Sequence, residues 1–216
     1  MRDVGLQQNV LNELKWEPSI HAAEIGVAVK DGVVTLTGTV DSYSQKMAVE
    51  KAAKRVRGVL AVAEEIEVRI PSATRRTDAD IARAALNALQ WHIEVPDERI
   101  QVKVEDGWVT LDGDVDWNFQ RDAAMDAVRD LIGVRGVTSL INVKPKVKVR
   151  EIKAEIGEAF KRHAELDAHR ITVDATDGKV TLSGKVHSWM ERDEAARIAW
   201  AAPGVSTVQN HISVSP

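Results

Sequence analysis

The chain has 216 residues, no cysteine and a formal net charge of −4, with 44% hydrophobic and 29% charged residues. That composition is ordinary for a globular protein, and the missing cysteine excludes disulfides, thiolate catalysis and cysteine-based metal sites. No stretch approaches the ~20 apolar residues of a membrane span, so no transmembrane segment is expected. The opening Met-Arg-Asp-Val-Gly-Leu-Gln-Gln carries no apolar leader, which predicts a cytoplasmic protein. A chain already relieved of a leader would instead be periplasmic.

Taken from the N-terminus, Leu6, Val10, Leu11 and Leu14 recur at helical spacing, and Trp16 closes that stretch. An extended run follows whose inward residues are Ile25, Val27 and Val29. Asp31-Gly32 then opens Val33-Val34-Thr35-Leu36-Thr37-Gly38-Thr39-Val40. Asp-Gly beside period-two apolar alternation signals a hairpin, because glycine supplies the positive φ that matches strand twist. Val34, Leu36 and Val40 share the buried face. A second helix follows, with Ser42 and Gln45 spaced as a capping box and a small face of Val49, Ala52, Ala53 and Val56. Gly58-Val59 stops it and starts a last strand.

The same order returns twice. Asp106-Gly107-Trp108-Val109-Thr110-Leu111-Asp112-Gly113-Asp114-Val115 and Asp177-Gly178-Lys179-Val180-Thr181-Leu182-Ser183-Gly184-Lys185-Val186 begin 75 and 71 residues after their predecessors. Ile81, Ala85, Leu86 and Leu89, then Ile152, Ile156, Ala159 and Phe160, repeat the first helix; Trp91 stands where Trp16 stood. Thr77 and Asp80 are spaced to cap the middle copy. Gly136 and Gly204 are read as the other two helix stops, leaving copy two with three extra residues around Leu131-Ile132-Gly133 and a longer second helix. A repeat at this period means three small units. The expectation is an α+β chain of three tandem αββαβ domains, each a three-stranded sheet with two helices on one face. Domains are expected at 1–70, 78–143 and 150–216, joined by linkers 71–77 and 144–149. They carry −1, −7 and −1, while Arg75, Arg76, Lys144, Lys146 and Lys148 give the linkers the positive surplus. An acidic middle domain argues against nucleic acid as ligand.

A unit of this order with Asp-Gly-x-Val-Thr-Leu-x-Gly-x-Val, and a later Gly-Val, resembles the BON domain (bacterial OsmY and nodulation), and all three copies share the pattern. The resemblance implies a bacterial protein without catalytic activity or cofactor. It also implies a role in binding phospholipid or envelope surfaces under stress. Relatives with several such units include periplasmic and cytoplasmic proteins.

The residues add their own candidates. His21, His92, His163, His169, His187 and His211 are scattered, with no pair at ligand spacing, and Gly178-Lys179 lacks a phosphate-loop frame, so no enzyme is expected. Asp112, Asp114, Asp116 and Asn118 alternate along a strand; they read as a solvated face, with an ion-sensing site as the sharper alternative. Trp108 has outward parity, and Trp117 and Phe119 lie where strand passes into helix, as Tyr43 and Trp189 do in their copies. Exposed aromatics suit a membrane interface or a protein partner; the plainer reading, favoured for Tyr43 and Trp189, is packing between or within domains. Trp200 aligns with outward positions and is read as an interdomain contact. Lys144, Lys146, Lys148 and Arg150 would form one cationic edge in extended chain, able to attract anionic headgroups. The expectation is thus a stress-related binding module that uses Trp108, Trp117, Phe119 and the basic linker on phospholipid. The alternative is a cytoplasmic scaffold that meets proteins through the same aromatics. The sequence leaves the oligomeric state open.

Overall fold

The computed structural model describes residues 2–145, 152–163 and 170–215. The first domain runs α1 (Arg2–Trp16), β1 (Ile25–Lys30), β2 (Val33–Val40), α2 (Tyr43–Arg55) and β3 (Ala61–Val68). The second repeats it with α3 (Asp78–Trp91), β4 (Ile100–Glu105), β5 (Trp108–Val115), α4 (Asn118–Arg129) and β6 (Gly136–Val143). The third has α5 (Ile152–Arg162), β7 (Ile171–Thr176), β8 (Lys179–Val186), α6 (Trp189–Ala201) and β9 (Thr207–Val214). Each sheet is separate and has three strands; its middle strand is the second, paired antiparallel with the first and parallel with the third. Two helices cover one face of each.

The hairpins form as their chemistry dictates. Asp31 and Gly32 have φ of 51° and 78°, Asp106 and Gly107 49° and 77°, Asp177 and Gly178 49° and 79°. Two successive positive φ values are the signature of the tight turn whose twist suits a hairpin. Val34, Leu36 and Val40 are buried, as are Val109, Leu111 and Val115, and Val180, Leu182 and Val186. The second glycine of the motif has a different role. At Gly38, Gly113 and Gly184 a Cβ would collide with the carbonyl of Glu24, Arg99 or Arg170, and φ there is +126°, +148° and +135°. The backbone entering the first strand passes over a middle strand that must be bare.

Helix starts follow the capping expectations. Ser42 Oγ accepts from the Gln45 amide at 3.2 Å and Ser188 Oγ from the Glu191 amide at 3.2 Å. Thr77 and Asp80 form a reciprocal capping box. The buried faces of α2, α4 and α6 are narrow: Val49, Ala52 and Ala53; Ala123, Ala124 and Val128; Ala195, Ile198 and Ala199. Leu86, expected on the core stripe of α3, is exposed, because Ile81, Ala85 and Leu89 already fill the line of successive turns against the sheet.

The reading of copy two's helix stop needs correction. The glycine with the left-handed conformation is Gly133 (φ 95°), matching Gly58 and Gly204. Val134 is then the buried counterpart of Val59 and Val205. Copy two has no insertion there, and α4, with 12 residues, is no longer than α2 and α6, with 13 each. Gly136 belongs to β6 and lies under the Trp108 ring, which the sequence shows only as another Gly-Val.

The three units touch through their second helices. Trp189 Nε1, at the start of α6, donates to the Val59 carbonyl of the first domain at 3.1 Å, with Lys54 Nζ 5.0 Å from the same ring. Trp200, at the other end of α6, packs against both the second and third cores, with the Arg121 guanidinium 4.6 Å from its ring. Tyr43, opening α2, packs on the second core and hydrogen-bonds the Val137 backbone. Half-burial of this phenol raises its pKa above the ordinary 10.0.

Two predictions follow from these contacts. Gly113→Ala should destabilise by about 3 kcal/mol, since strain and collision coincide there; equivalent urea unfolding of the variant and the parent would contradict it. Tyr43 is the chain's single tyrosine, so phenolate absorbance reports it alone, and its midpoint should lie above 10.0. A group whose pKa is raised by folding lends stability that is complete below its unfolded value and lost as pH climbs through the folded one. The contact between the first two domains should therefore loosen only in strong alkali; a midpoint at or below the ordinary value would show Tyr43 undocked.

Candidate functional site

The second domain holds the candidate site, at the end of its sheet where β5 passes into α4. Trp117 stands at the N-cap of α4, where the other copies have Ser42 and Ser188. The residue in phase with Tyr43 and Trp189 is therefore Asn118, between the two junction aromatics Trp117 and Phe119. Indole cannot accept a hydrogen bond as a serine hydroxyl does, so the Gln120 amide donates to the Trp117 carbonyl at 3.2 Å instead. Gln120 Oε1 accepts from the amides of Asp116 and Trp117 at 3.0 Å each, much as the Gln45 and Glu191 side chains accept from Asp41 and His187 in the other copies. Asn118 is buried; its Nδ2 donates to Asp122 at 2.7 Å, and its Oδ1 has no partner among the described residues.

Trp117 and Phe119 project outward on either side of Asn118, 38% and 51% exposed, with ring centroids 6.5 Å apart. They line a groove of about 600 Å³ that continues to Trp200 on α6 and to His92 and Glu94 in the loop after α3. Between those two loop residues stands Ile93, fully exposed, and before them Trp91, 88% exposed. Trp16, its counterpart in the first domain, is 85% exposed. These two tryptophans appear in the sequence only as a repeated position at a helix end. Helical phase could have identified them, since each lies two residues past a buried leucine, Leu14 or Leu89, and so on the opposite side. The groove is acidic as well as apolar: Glu94, Asp122 and Asp126 line it, facing Arg197.

The other expected residues are placed elsewhere. Trp108 does lie on the outer face of the sheet, half-exposed, but its ring rests on Gly136 across the strands and its Nε1 donates to Thr138 Oγ1 at 2.8 Å. At about 3.3 Å per residue, the length of β5 puts it roughly 23 Å from the Trp117 end. The structure therefore does not bring Trp108 together with Trp117 and Phe119. Lys144 leaves β6 at the Trp117 end, its amide bonded to Val115 O. Its Nζ donates to Asp114 at 2.7 Å and holds that carboxyl below its usual range. Asp116 pairs with Arg99 at 3.1 Å, so two of the alternating carboxylates already have cationic partners. Among the described residues no group of three or more His, Asp or Glu could hold a metal ion. Lys146, Lys148 and Arg150 lie outside the described residues.

Comparison with known proteins accords with the geometry of the units. The model of the BON domain matches residues 2–70, 77–145 and 148–216. The chain belongs to the BON domain family. Osmotically-inducible protein Y of Escherichia coli (strain K12) is 29% identical over 153 residues, which is 67% of this chain and 74% of that protein. Two solved structures of CdsD, a structural protein of the type III secretion system of Chlamydia trachomatis, are 14% and 13% identical. They cover 98% and 99% of this BON chain and 93% and 98% of their own, but with a TM-score of 0.26 each the likeness carries no argument. No helix among the described residues is long and apolar enough to cross a membrane.

Replacing an N-cap serine costs about 1 kcal/mol. Trp117→Ser should accordingly stabilise the protein by about that amount in urea unfolding, by giving α4 the cap its sister helices have. A loss of stability would mean that the indole is a packing element.

Proposed function

We propose that this BON protein is a non-enzymatic binding protein that attaches to phospholipid surfaces through the aromatic corner of its second domain. The observation that carries the reading is the tryptophan at the α4 N-cap: a favourable cap is given up for a ring left partly in water. Local choices that work against stability mark sites kept for something else. Phe119 extends the same apolar surface, Trp91 and Ile93 leave two more large apolar side chains exposed on this domain, and indole rings suit the boundary between headgroups and acyl chains. A stress setting is supported by the osmotically inducible relative.

Magnitudes decide which force acts. Full burial of a large apolar side chain is worth about 1.5–3 kcal/mol, so four partly buried ones supply several kcal/mol. Charges near an anionic surface contribute about 1 kcal/mol each. The acidic groove repels such a surface, while Lys144, with Lys146, Lys148 and Arg150 following in sequence, offsets that repulsion. The apolar term is left as the net attraction, so binding should depend only weakly on salt.

A second reading has its own observation. Glu94, Asp122 and Asp126 beside the rings also suit a protein partner that presents cationic residues, and the chain would then serve as a scaffold without touching lipid. Flotation with vesicles of phosphatidylethanolamine and phosphatidylglycerol separates the two. The parent protein should float at both low and moderate salt, and Trp117→Ser combined with Trp91→Gln should reduce recovery several-fold while the fold is retained. Absence of the parent from the vesicle fraction at low salt rejects the lipid reading in favour of the scaffold.

A further inference from the structure

We propose that the cleft between the first and second domains binds a multiply charged phosphate group, of the kind carried by a diphosphate ester. The cleft is about 750 Å³. Its walls come from the end of β3, the linker that follows it, the start of α3, the turn between β4 and β5, and the loop before β6. Together they bring Arg69, Arg75, Arg76 and Arg135 around one space.

The charges in that space do not cancel. Arg69 is engaged with Glu67 at 2.9 Å. The Asp78 carboxylate is occupied by the Asp106 and Gly107 amides, at 2.9 Å each. Arg75, Arg76 and Arg135 then remain, with no carboxylate within ion-pair distance among the described residues, against the charges of Asp106 and of Asp78, which its amide partners stabilise without cancelling, so the lining carries four arginines and three carboxylates. Arg76 uses one donor on the Arg75 carbonyl at 3.0 Å, which leaves most of its five N–H groups available. The field of these cations is felt nearby: Arg135 helps lower the Glu67 carboxyl and Arg76 that of Asp80, each as a smaller cause behind a direct hydrogen bond.

Packing draws two of the arginines together. A Cβ at Gly133 would lie 3.0 Å from the Arg76 Cβ, and one at Gly107 would lie 3.1 Å from the Arg135 stem. Both stems thus run over bare backbone. The fold itself does not call for arginine there. The Arg135 amide donates to Gly107 O at 2.9 Å, and the equivalent bonds are made by Leu60 to Gly32 O at 2.9 Å and by Ser206 to Gly178 O at 2.8 Å. Three copies make one backbone bond with three unrelated side chains, so the guanidinium is free to serve a ligand. Guanidinium forks match phosphate oxygens in pairs, and gathering several around one cleft selects a group with more than one negative charge. This site shares no residue with the aromatic corner and does not depend on the lipid reading.

The test is calorimetric titration of the full chain with inorganic pyrophosphate at low salt. Binding is expected in the parent and in Trp117→Ser. Arg76→Gln and Arg135→Ser should each weaken it about tenfold or more, the usual effect of removing a charged hydrogen-bond donor. Serine already occupies the equivalent of position 135 in the third domain, so that variant should fold, and thermal melting confirms it. No heat with the parent, or equal affinity in the folded double variant, would overturn the proposal. Flotation with phosphatidic acid against phosphatidylcholine vesicles identifies the source. A selective loss of phosphatidic acid binding in the double variant supports a lipid phosphate. Loss of pyrophosphate binding with vesicle recovery unchanged supports a soluble one.

Discussion

Each unit builds its core from one face of a three-stranded sheet and the narrow sides of two helices, and a body of that size buries only about 60% of its unfolded surface. The constraint on the whole molecule is that none of the three second helices is left bare. Helix α6 meets the need for all of them, placing Trp189 on the first domain and Trp200 on the second, while Tyr43 completes the contact between the first two. The alanines that let α2, α4 and α6 lie close to their sheets also keep each helix slim, so large aromatic side chains are needed to span from one unit to the next.

What could be read from the amino acids follows the range of the forces involved. The hairpins were legible because Asp-Gly and alternation act within ten residues; the caps at Ser42 and Thr77 were legible for the same reason. The helix stop of copy two was not. Gly133-Val134 and Gly136-Val137 look alike in sequence, and only the indole of Trp108 lying across the strands explains why the second glycine is there. The junction aromatics were legible as a position but not in phase: Trp117 is a cap, and Asn118 takes the place that Tyr43 and Trp189 hold in their copies. Trp16 and Trp91 went unread as surface features because a repeated tryptophan at a helix end looks like core until its helical angle is considered. The arginine cleft was invisible, since Arg69, Arg75 and Arg76 at a strand end and linker meet Arg135 from a loop about sixty residues further along the chain.

The functional signal lies in how the copies differ. Positions that the fold fixes are the same in all three: the turn dipeptides, the bare middle-strand glycine, the left-handed helix stop. Positions that the fold leaves open have diverged, and the divergence collects in the second unit. It carries the −7 charge, the capping tryptophan, the ring on Gly136 and Arg135. A triplicated scaffold can keep two copies as supports and let one specialise, because packing between units depends on a few docking side chains.

The bond from Trp189 to Val59 joins the last domain to the first, which no linker connects. Neighbouring domains are tied by covalent chain and would stay close even if their surfaces parted. Among the described residues the first and third are held by this noncovalent clasp and the contacts around it. Tension applied along the polypeptide from its two ends would fall first on that clasp, so the assembly should open like a ring at one seam, with each bead still folded.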